Sequence, residues 1–332
     1  MSESTPCTIA LDVHAHLAPI QPAQLAGIDG VSWVADTQKL TIDGHTVGIK
    51  SLFQPNALLA WMDTHHVERA WVSIPPPLYR PHLAEAAARD WARYVNDGLV
   101  TICGDHADRL APLLHLPLEH PDLAVEIVEA ASADARFAAA AGGYPGTLSD
   151  ASLEPLWHRL DSQGTFVFLH PGACCDGRLR PFYLENLAGN PIETTVAVSH
   201  LVFGGVSDRY PRIRFCLAHG GGATAMFAGR FERGYATARP DVDTSLSSPR
   251  SLLGRFYVDC IVHDAAALQL IAGTFGEDRV LFGSDWPFPM GIPEPHVQLA
   301  GTDAALLRRV LQVNALTLRD GSPLSENTLP PL

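Results

Sequence analysis

Histidine and aspartate side chains end several short apolar segments of the 332-residue chain. His14 and His16 stand two residues apart at the end of the first such segment, so in a strand both imidazoles face the same side. His170 follows FVFL directly, His219 follows IRFCLA directly, and Asp285 lies two residues beyond VLFG. Imidazoles and a carboxylate that converge, with one position left for water, make a divalent metal site of the catalytic type. The sequence therefore predicts such a site.

Each of these residues also has an ordinary structural alternative. A histidine after an apolar strand can be a hydrogen-bonded core residue, and an aspartate in GSDWP can cap a turn. Four apolar segments that all end in a potential ligand are much harder to explain as coincidence than any one of them. The shared position at the segment ends therefore favours a metal site.

The apolar segments alternate with Ala/Leu-rich segments of helical spacing, a pattern typical of βα units. Strands are predicted at 8–13, 69–74, 111–116, 136–140, 166–169, 213–218, 255–258 and 280–283. Helices are predicted near 81–104, 122–134, 152–163, 187–209, 223–235, 264–275 and 303–318. Strands that are mostly apolar without alternation indicate a parallel sheet covered on both faces. We expect a (β/α)8 barrel of the TIM type, with catalytic groups at the carboxyl ends of its strands.

An open doubly wound sheet is the structural competitor of the barrel. Such a sheet would need a glycine-rich phosphate loop after an early strand, and LDVHAHLAP is not such a loop. Residues 31–49 interrupt the alternation of strands and helices with short alternating segments and an Asp43–Gly44 turn. This pattern predicts a small β-hairpin insertion after the first strand, over the mouth of the barrel. We expect residues 1–332 to form one metal-dependent barrel domain with this insertion.

The composition disfavours several classes of protein. Hydrophobic residues make up 47% and charged residues 18%, which excludes a disordered chain and predicts a large core. The net charge of −13 disfavours nucleic acid and anionic membranes as partners. No signal peptide is recognised in MSESTPCTIALDV, and no segment approaches the roughly 18 apolar residues that span a bilayer. Six cysteines without a C-x-x-C pair fit a reduced cytoplasmic chain.

Four motifs carry a family resemblance: DVHAH at 12–16, LHPG at 169–172, AHGGG at 218–222 and GSDWPFP at 283–289. Their order and spacing resemble the amidohydrolase superfamily, specifically the amidohydrolase-related branch of aminocarboxymuconate semialdehyde decarboxylase. The resemblance covers about residues 8–318. It implies a metal-dependent enzyme built on the predicted barrel.

The resemblance also implies individual roles at the metal site. It makes His219 the acid/base that deprotonates water at the metal, and it names as metal ligands His14, His16, His170 and Asp285. Binuclear members of the superfamily use a carboxylated lysine on the fourth strand, but the two lysines of this chain are Lys39 and Lys50. A mononuclear site follows, with one divalent cation per chain. Zinc is favoured over manganese because Asp12 replaces the glutamate of some manganese-dependent members.

Candidate substrate-binding residues lie outside the ligand set. Arg230 and Arg239 lie in a segment similar to one whose arginines enter a neighbouring subunit's site and hold a substrate carboxylate, although a solvated helix face is the alternative. That similarity implies a homodimer or higher homo-oligomer. Three further candidates are also compatible with a surface or packing role: Arg178, His263 and Trp286.

The activity implied by the resemblance is non-oxidative decarboxylation of a small aromatic or enol carboxylic acid. The decarboxylase that typifies the branch has a carboxylate-binding arginine where this chain has none, between residues 45 and 60. Because the family also acts on resorcylate-like and salicylate-like acids, the substrate stays open among these classes. The alternative is a metal-dependent hydrolase of an amide, lactone or ester that uses the same residues, His219 and Asp285 included.

Overall fold

The computed structural model describes residues 7–132, 134–141, 147–174 and 176–320. In chain order its strands are β1 (Asp12–His16), β2 (Val31–Val34), β3 (Lys39–Ile42), β4 (His45–Val47), β5 (Ala70–Ser73), β6 (Leu110–Leu116), β7 (Arg136–Ala140), β8 (Phe166–His170), β9 (Arg214–Leu217), β10 (Tyr257–Asp259) and β11 (Val280–Leu281). β1 and β5–β11 pair in parallel, in the order of the chain, to form one eight-stranded sheet.

Hydrogen bonds between β1 and the segment after β11 close this sheet. The Val13 amide donates to the Phe282 carbonyl, and the Asp285 amide donates to the carbonyl of His14 at 2.7 Å. The predicted (β/α)8 barrel is therefore confirmed, and each of the eight predicted strands is present. The first strand lies at Asp12–His16 rather than at 8–13, so both of its histidines are within the strand.

Helices cover the outside of the barrel. They are α1 (Pro22–Leu25), α2 (Pro55–Thr64), α3 (Glu85–Gly104), α4 (Pro121–Ala130), α5 (Glu154–Gln163), α6 (Asn190–Phe203), α7 (Val206–Arg209), α8 (Thr224–Ala236), α9 (Pro249–Leu253), α10 (Ala265–Phe275), α11 (Pro295–Gln298), α12 (Ala304–Arg308) and α13 (Asn314–Asp320). Within this described part of the chain, every helix is too short or too polar to cross a bilayer. The helix predicted at 187–209 is divided because Gly205 takes a left-handed φ of 72° between α6 and α7.

The predicted insertion is a three-stranded antiparallel sheet, β2–β3–β4, rather than a single hairpin. Its second turn is formed by Asp43 and Gly44, both with positive φ, as a two-residue hairpin turn requires. The buried Arg80, in the loop after β5, donates to both carboxylate oxygens of Asp43. This ion pair fixes the insertion beside the carboxyl ends of the barrel strands.

The core explains why the strands lack alternation in the sequence. Every residue of β1, β5 and β8 is buried, because one face of each strand fills the barrel and the other packs under the helices. Polar side chains on these strands are therefore unusual. Most of them lie toward the carboxyl ends of the strands, and Asp12, the first residue of β1, is the exception.

Candidate metal centre

The four predicted ligands lie together at the carboxyl end of the barrel. His14 and His16 project from β1, His170 ends β8, and Asp285 lies four residues beyond β11. Each offers one ligand atom, and these four atoms lie within 4.8 Å of one another. All four residues are buried. The barrel thus brings together ligands separated by up to 271 positions in the sequence, from residue 14 to residue 285.

Hydrogen bonds fix the orientation of the three imidazole rings. Each Nδ1 has an acceptor behind the ring: Asp259 Oδ2 at 2.7 Å for His14, the Ile74 carbonyl at 3.3 Å for His16, and the Pro171 carbonyl at 2.8 Å for His170. An acceptor at Nδ1 places the proton there and leaves the Nε2 lone pair for a metal. His16 and His170 are therefore held in the tautomer that metal ligands use, and Nδ1 of His14 keeps its proton, hydrogen-bonded to Asp259, so a metal would displace only a proton at Nε2.

The charges of the cluster also suit a cation. Burial alone would raise the pKa of Asp285, but the adjacent imidazoles hold that pKa well below its usual range. Burial lowers the pKa of His16 and of His170, so both rings are neutral. Burial would also lower the pKa of His14, but the carboxylates of Asp285 and Asp259 raise it to about 10. Three imidazoles and a buried carboxylate that attracts positive charge fit a divalent metal.

His219 lies beside this cluster in the loop after β9. Its Nε2 is 3.9 Å from Asp285 Oδ2, and its buried Nδ1 has no hydrogen-bond partner among the described residues. Its φ of 54° is left-handed. The AHGGG motif makes this turn possible, because a Cβ on Gly222 would lie 2.1 Å from the Pro191 carbonyl oxygen. The structure thus holds His219 within reach of the metal cluster.

Asp259, at the end of β10, is a functional candidate that the sequence analysis missed. Its Oδ2 accepts hydrogen bonds from His14 Nδ1 at 2.7 Å and from the His219 amide at 2.9 Å. Its Oδ1 accepts the Gly220 amide at 2.8 Å. One fully buried carboxylate therefore orients a predicted ligand and the predicted acid/base together. The available signal was an acidic residue at the end of an apolar strand, as at the other ligand positions.

We expect Asp259→Asn to lower metal affinity by about 10–100-fold, as loss of an outer hydrogen-bond partner of a ligand usually does. The carboxamide would turn an NH₂ donor toward backbone or ring N–H groups that now meet an acceptor. A competing chelator measures the affinity. Asp161→Asn is the matched control, because the Asp161 carboxylate accepts a backbone N–H from Arg212 far from the cluster. Equal metal affinity in the two variants would contradict the positioning role of Asp259.

Asp12 and Ser284 connect the two ends of the ligand set. Asp12 Oδ1 accepts the amides of His14 and Ser284 at 2.9 and 3.0 Å, and the Ser284 hydroxyl donates to Asp12 Oδ2. Burial raises the pKa of Asp12 to about 7 despite these hydrogen bonds. Asp12 is thus absent from the ligand cluster and instead ties β1 to the loop that carries Asp285.

The cluster opens onto a cavity of about 380 Å³. His170, His219 and Asp285 line it at the cluster, while the side chains farther out are mainly apolar and include Leu187, Met226, Leu270, Ile271, Phe288 and Met290. A larger groove of about 700 Å³, between α3 and α4, contains none of the cluster residues. The smaller cavity is therefore the candidate substrate site.

Of the predicted substrate-binding residues, one lies in the lining of the cavity and the others lie outside it. His263 lines the cavity. Trp286 is buried in the core, and the lining of the cavity does not include it. Arg178 is exposed and forms an ion pair with a neighbouring aspartate. Arg230 on α8 and Arg239 just beyond α8 are exposed and lie outside the lining.

Comparison with known proteins identifies the family. The family model described as "Amidohydrolase" matches residues 11–318. The chain belongs to this amidohydrolase family. Among its curated relatives, 2-amino-3-carboxymuconate-6-semialdehyde decarboxylase from Dictyostelium discoideum is 29% identical over 301 residues, which cover 86% of this chain and 83% of the relative.

Solved structures show the same fold as this amidohydrolase. 5-Carboxyvanillate decarboxylase from Sphingomonas paucimobilis superimposes with a TM-score of 0.77 at 18% identity, covering 94% of this chain and 99% of the other. A dihydroxybenzoic acid decarboxylase from a Polaromonas species, with bound manganese and 2-nitroresorcinol, gives a TM-score of 0.76 at 19% identity, covering 97% and 99%. The predicted resemblance and the predicted barrel are both confirmed.

Proposed function

We propose that this amidohydrolase is a metal-dependent, non-oxidative decarboxylase of a small aromatic or enol carboxylic acid. The observation that carries the proposal is the buried cluster of three imidazoles and one carboxylate, with His219 beside it, at the inner end of a mainly apolar cavity. Further support comes from the names of the curated relative and of the two solved structures, all of which are decarboxylases.

We propose one divalent cation per chain, held by His14, His16, His170 and Asp285. Zinc is the first candidate because it suits an imidazole-rich, four-ligand site, and manganese, which the Polaromonas structure contains, is the second. When bound, such a cation polarises substrate oxygen atoms and stabilises the negative charge that develops at the reacting carbon.

The side chains of the site can supply the proton that completes decarboxylation. The bond between the carboxylate and its carbon breaks, carbon dioxide leaves, and the electron pair stays on the carbon, which then takes a proton. His219 is the available proton donor, and the ionised carboxylate of Asp285 can pass on a proton only after accepting one, as from His219. Nε2 of His219 and Oδ2 of Asp285 lie 3.9 Å apart at the inner end of the cavity. The apolar walls keep bulk water away and strengthen these electrostatic interactions.

Several finer features belong to the same proposal. His263 contacts substrate from the cavity wall, a role that its position in the cavity lining supports. Arg230 and Arg239 act on a neighbouring copy, which their exposure on and after α8 permits and which requires at least a dimer. Arg178 and Trp286 remain candidate substrate-binding residues. The six cysteines without a C-x-x-C pair support a cytoplasmic location, and the net charge of −13 supports the absence of nucleic-acid and membrane partners.

Elemental analysis combined with a carbon dioxide release assay tests the proposed function. We expect about one zinc or manganese per chain, as a single four-ligand site implies, and carbon dioxide release from at least one acid in a panel of hydroxybenzoates and muconate semialdehydes. Chelation should abolish the release, and addition of the metal should restore it. Metal without gas release, together with hydrolysis of a lactone, ester or amide, would instead establish the hydrolase alternative.

A further inference from the structure

Two asparagines interrupt the mainly apolar wall of the candidate substrate cavity. Asn186 and Asn190 both line this cavity, and both are half-buried. No hydrogen bond joins either carboxamide to another residue of the described ranges. The carboxamide of Asn96 on α3, by contrast, bonds to both the amide and the carbonyl of His115. The polar atoms of Asn186 and Asn190 are therefore available to a ligand in the cavity.

The local helix geometry places the two side chains on one face. Asn186 lies in a π-helical turn, Glu185–Gly189, that continues directly into α6, of which Asn190 is the first residue. Residues four apart lie on the same side of a helix, so the two carboxamides are neighbours. Single π-helical turns of this kind occur frequently at functional sites. The turn thus presents a pair of carboxamides to the cavity rather than two separate groups.

Close packing fixes this pair relative to the metal cluster. A Cβ on Gly189 would lie 2.7 Å from Cβ of Cys174, in the loop that follows His170, so only glycine allows this approach. On the other side of Asn190, the Pro191 carbonyl oxygen packs against Gly222 of the AHGGG motif. The carboxamide pair is therefore held between the loop after one predicted ligand and the turn that carries the predicted acid/base.

The chemistry of a carboxamide indicates what the pair binds. Each carboxamide offers hydrogen-bond donors and acceptors but no charge. An apolar substituent that covered the pair would displace water from these polar atoms and leave them without partners, which costs affinity. A neutral group with its own donor and acceptor replaces the lost hydrogen bonds. A few such polar groups in a mainly apolar cavity usually set the orientation and the specificity of binding.

We infer that Asn186 and Asn190 determine substrate specificity by hydrogen-bonding a neutral group of the substrate that combines a donor with an acceptor. The inference rests on the proposed function and names a feature that the substrate carries in addition to its reacting carboxylate. This group lies away from the cluster, where the carboxylate binds. A carboxamide is the simplest example of such a group.

Three benzoic acids test this inference on the metal-loaded protein. They carry methyl, acetyl or carboxamide at ring position 3 or 4, and acetyl matches the size of carboxamide but provides only an acceptor. At the position that faces the asparagines, the carboxamide acid should bind about 25-fold more tightly than the methyl acid, since each of two added hydrogen bonds contributes about fivefold. The acetyl acid should lie between them. Isothermal titration calorimetry gives the dissociation constants.

Leucine variants assign this preference to the two side chains. Asn186→Leu and Asn190→Leu should each reduce the preference for carboxamide over methyl by about fivefold, and the double variant should abolish it. Neither substitution should lower Tm, because neither carboxamide has a described protein partner to lose and leucine favours a helix more than asparagine does. Asn56→Leu is the matched control, since Asn56 is exposed on α2, outside the cavity lining, and its substitution should leave the preference unchanged.

The outcomes separate this inference from the proposed function. Equal binding of the methyl and carboxamide acids at both ring positions would overturn the inference, as would an unchanged preference in the double variant or the absence of binding by all three acids. Carbon dioxide release from the panel of hydroxybenzoates and muconate semialdehydes would then still support decarboxylation. The expected preference without gas release from any acid of that panel would support the inference and reject the proposed reaction.

Discussion

Asp285→Asn is expected to lose both tight metal binding and turnover. Asp285 Oδ1 lies 3.2 Å from Nε2 of His14 and of His16, so the carboxylate supplies the negative charge of the ligand cluster. Its other oxygen faces His219, where the proposed proton transfer takes place. We expect turnover to fall by at least about 10³-fold, because a metal ligand and a carboxylate that can relay the proton are removed together. Elemental analysis and the carbon dioxide assay measure the two losses.

The choice of asparagine keeps this test separate from misfolding. Asp285 has a left-handed φ of 56°, which asparagine adopts more readily than alanine, and the carboxamide has nearly the same volume. Asp241→Asn is the matched control, because Asp241 has a similar φ of 64° but is exposed and absent from the ligand cluster. A folded Asp285→Asn protein with unchanged metal content would show that Asp285 is not a ligand.

His219→Asn is expected to retain the metal while turnover falls by about 10²–10⁴-fold, the usual contribution of a general acid or base. His219 is not one of the four clustered ligands, and its Nε2 points toward the far oxygen of Asp285. Its removal therefore leaves the coordinating atoms in place but deletes a route for the proton. The decisive experiment measures both the metal content and kcat of the same protein preparation.

His66→Asn is the matched control for this variant. His66 has a left-handed φ of 57°, close to the 54° of His219, but it is exposed at the opposite end of the barrel, where its carbonyl accepts the Ile9 amide. His66→Asn therefore places asparagine at a similar left-handed φ without changing a residue of the candidate site. Full activity in His219→Asn would assign the proton transfer to Asp285 alone.

The ligand set could be predicted from the sequence because a barrel brings the carboxyl ends of all its strands together. A residue's position at the end of a strand therefore indicates its position in the fold. A polar residue that ends an apolar strand must lie at the carboxyl end of the barrel, where the ends of the parallel strands are close together. His14, His16, His170 and Asp285 each carried that signal, and the described structure unites them. The eight strands were predictable for the same reason, since their non-alternating apolar pattern reflects burial on both faces.

The contacts of the supporting groups could not be predicted in this way. Asp259 ends an apolar strand as the ligands do, so its place at the carboxyl end of the barrel was predictable, but its hydrogen bond to His14 spans 245 positions. The hydrogen bond between Asp12 and Ser284 spans 272 positions, and no local sequence pattern indicates either bond. The cavity lining depends on which faces of α6, α8 and α10 turn inward, and that depends on packing. The prediction for the first strand is also several residues too early, at 8–13 rather than Asp12–His16, because the buried histidines beyond the apolar segment TIALDV interrupt the apolar pattern.

The closure of the barrel has a consequence for how the protein matures. His14 and His16 lie on β1, and Asp285 lies in the segment after β11 that hydrogen-bonds to β1 and closes the barrel. The ligands therefore lie on both sides of this closing contact, the seam of the barrel. A chain emerging during synthesis cannot assemble the full ligand set until residue 285 has been made and the seam has formed. A cation that binds only the sealed barrel shifts the folding equilibrium toward closure, by about 2.7 kcal/mol when its free concentration is 100 times its Kd. Metal supply in the cell would thereby influence how much of this protein persists in folded form.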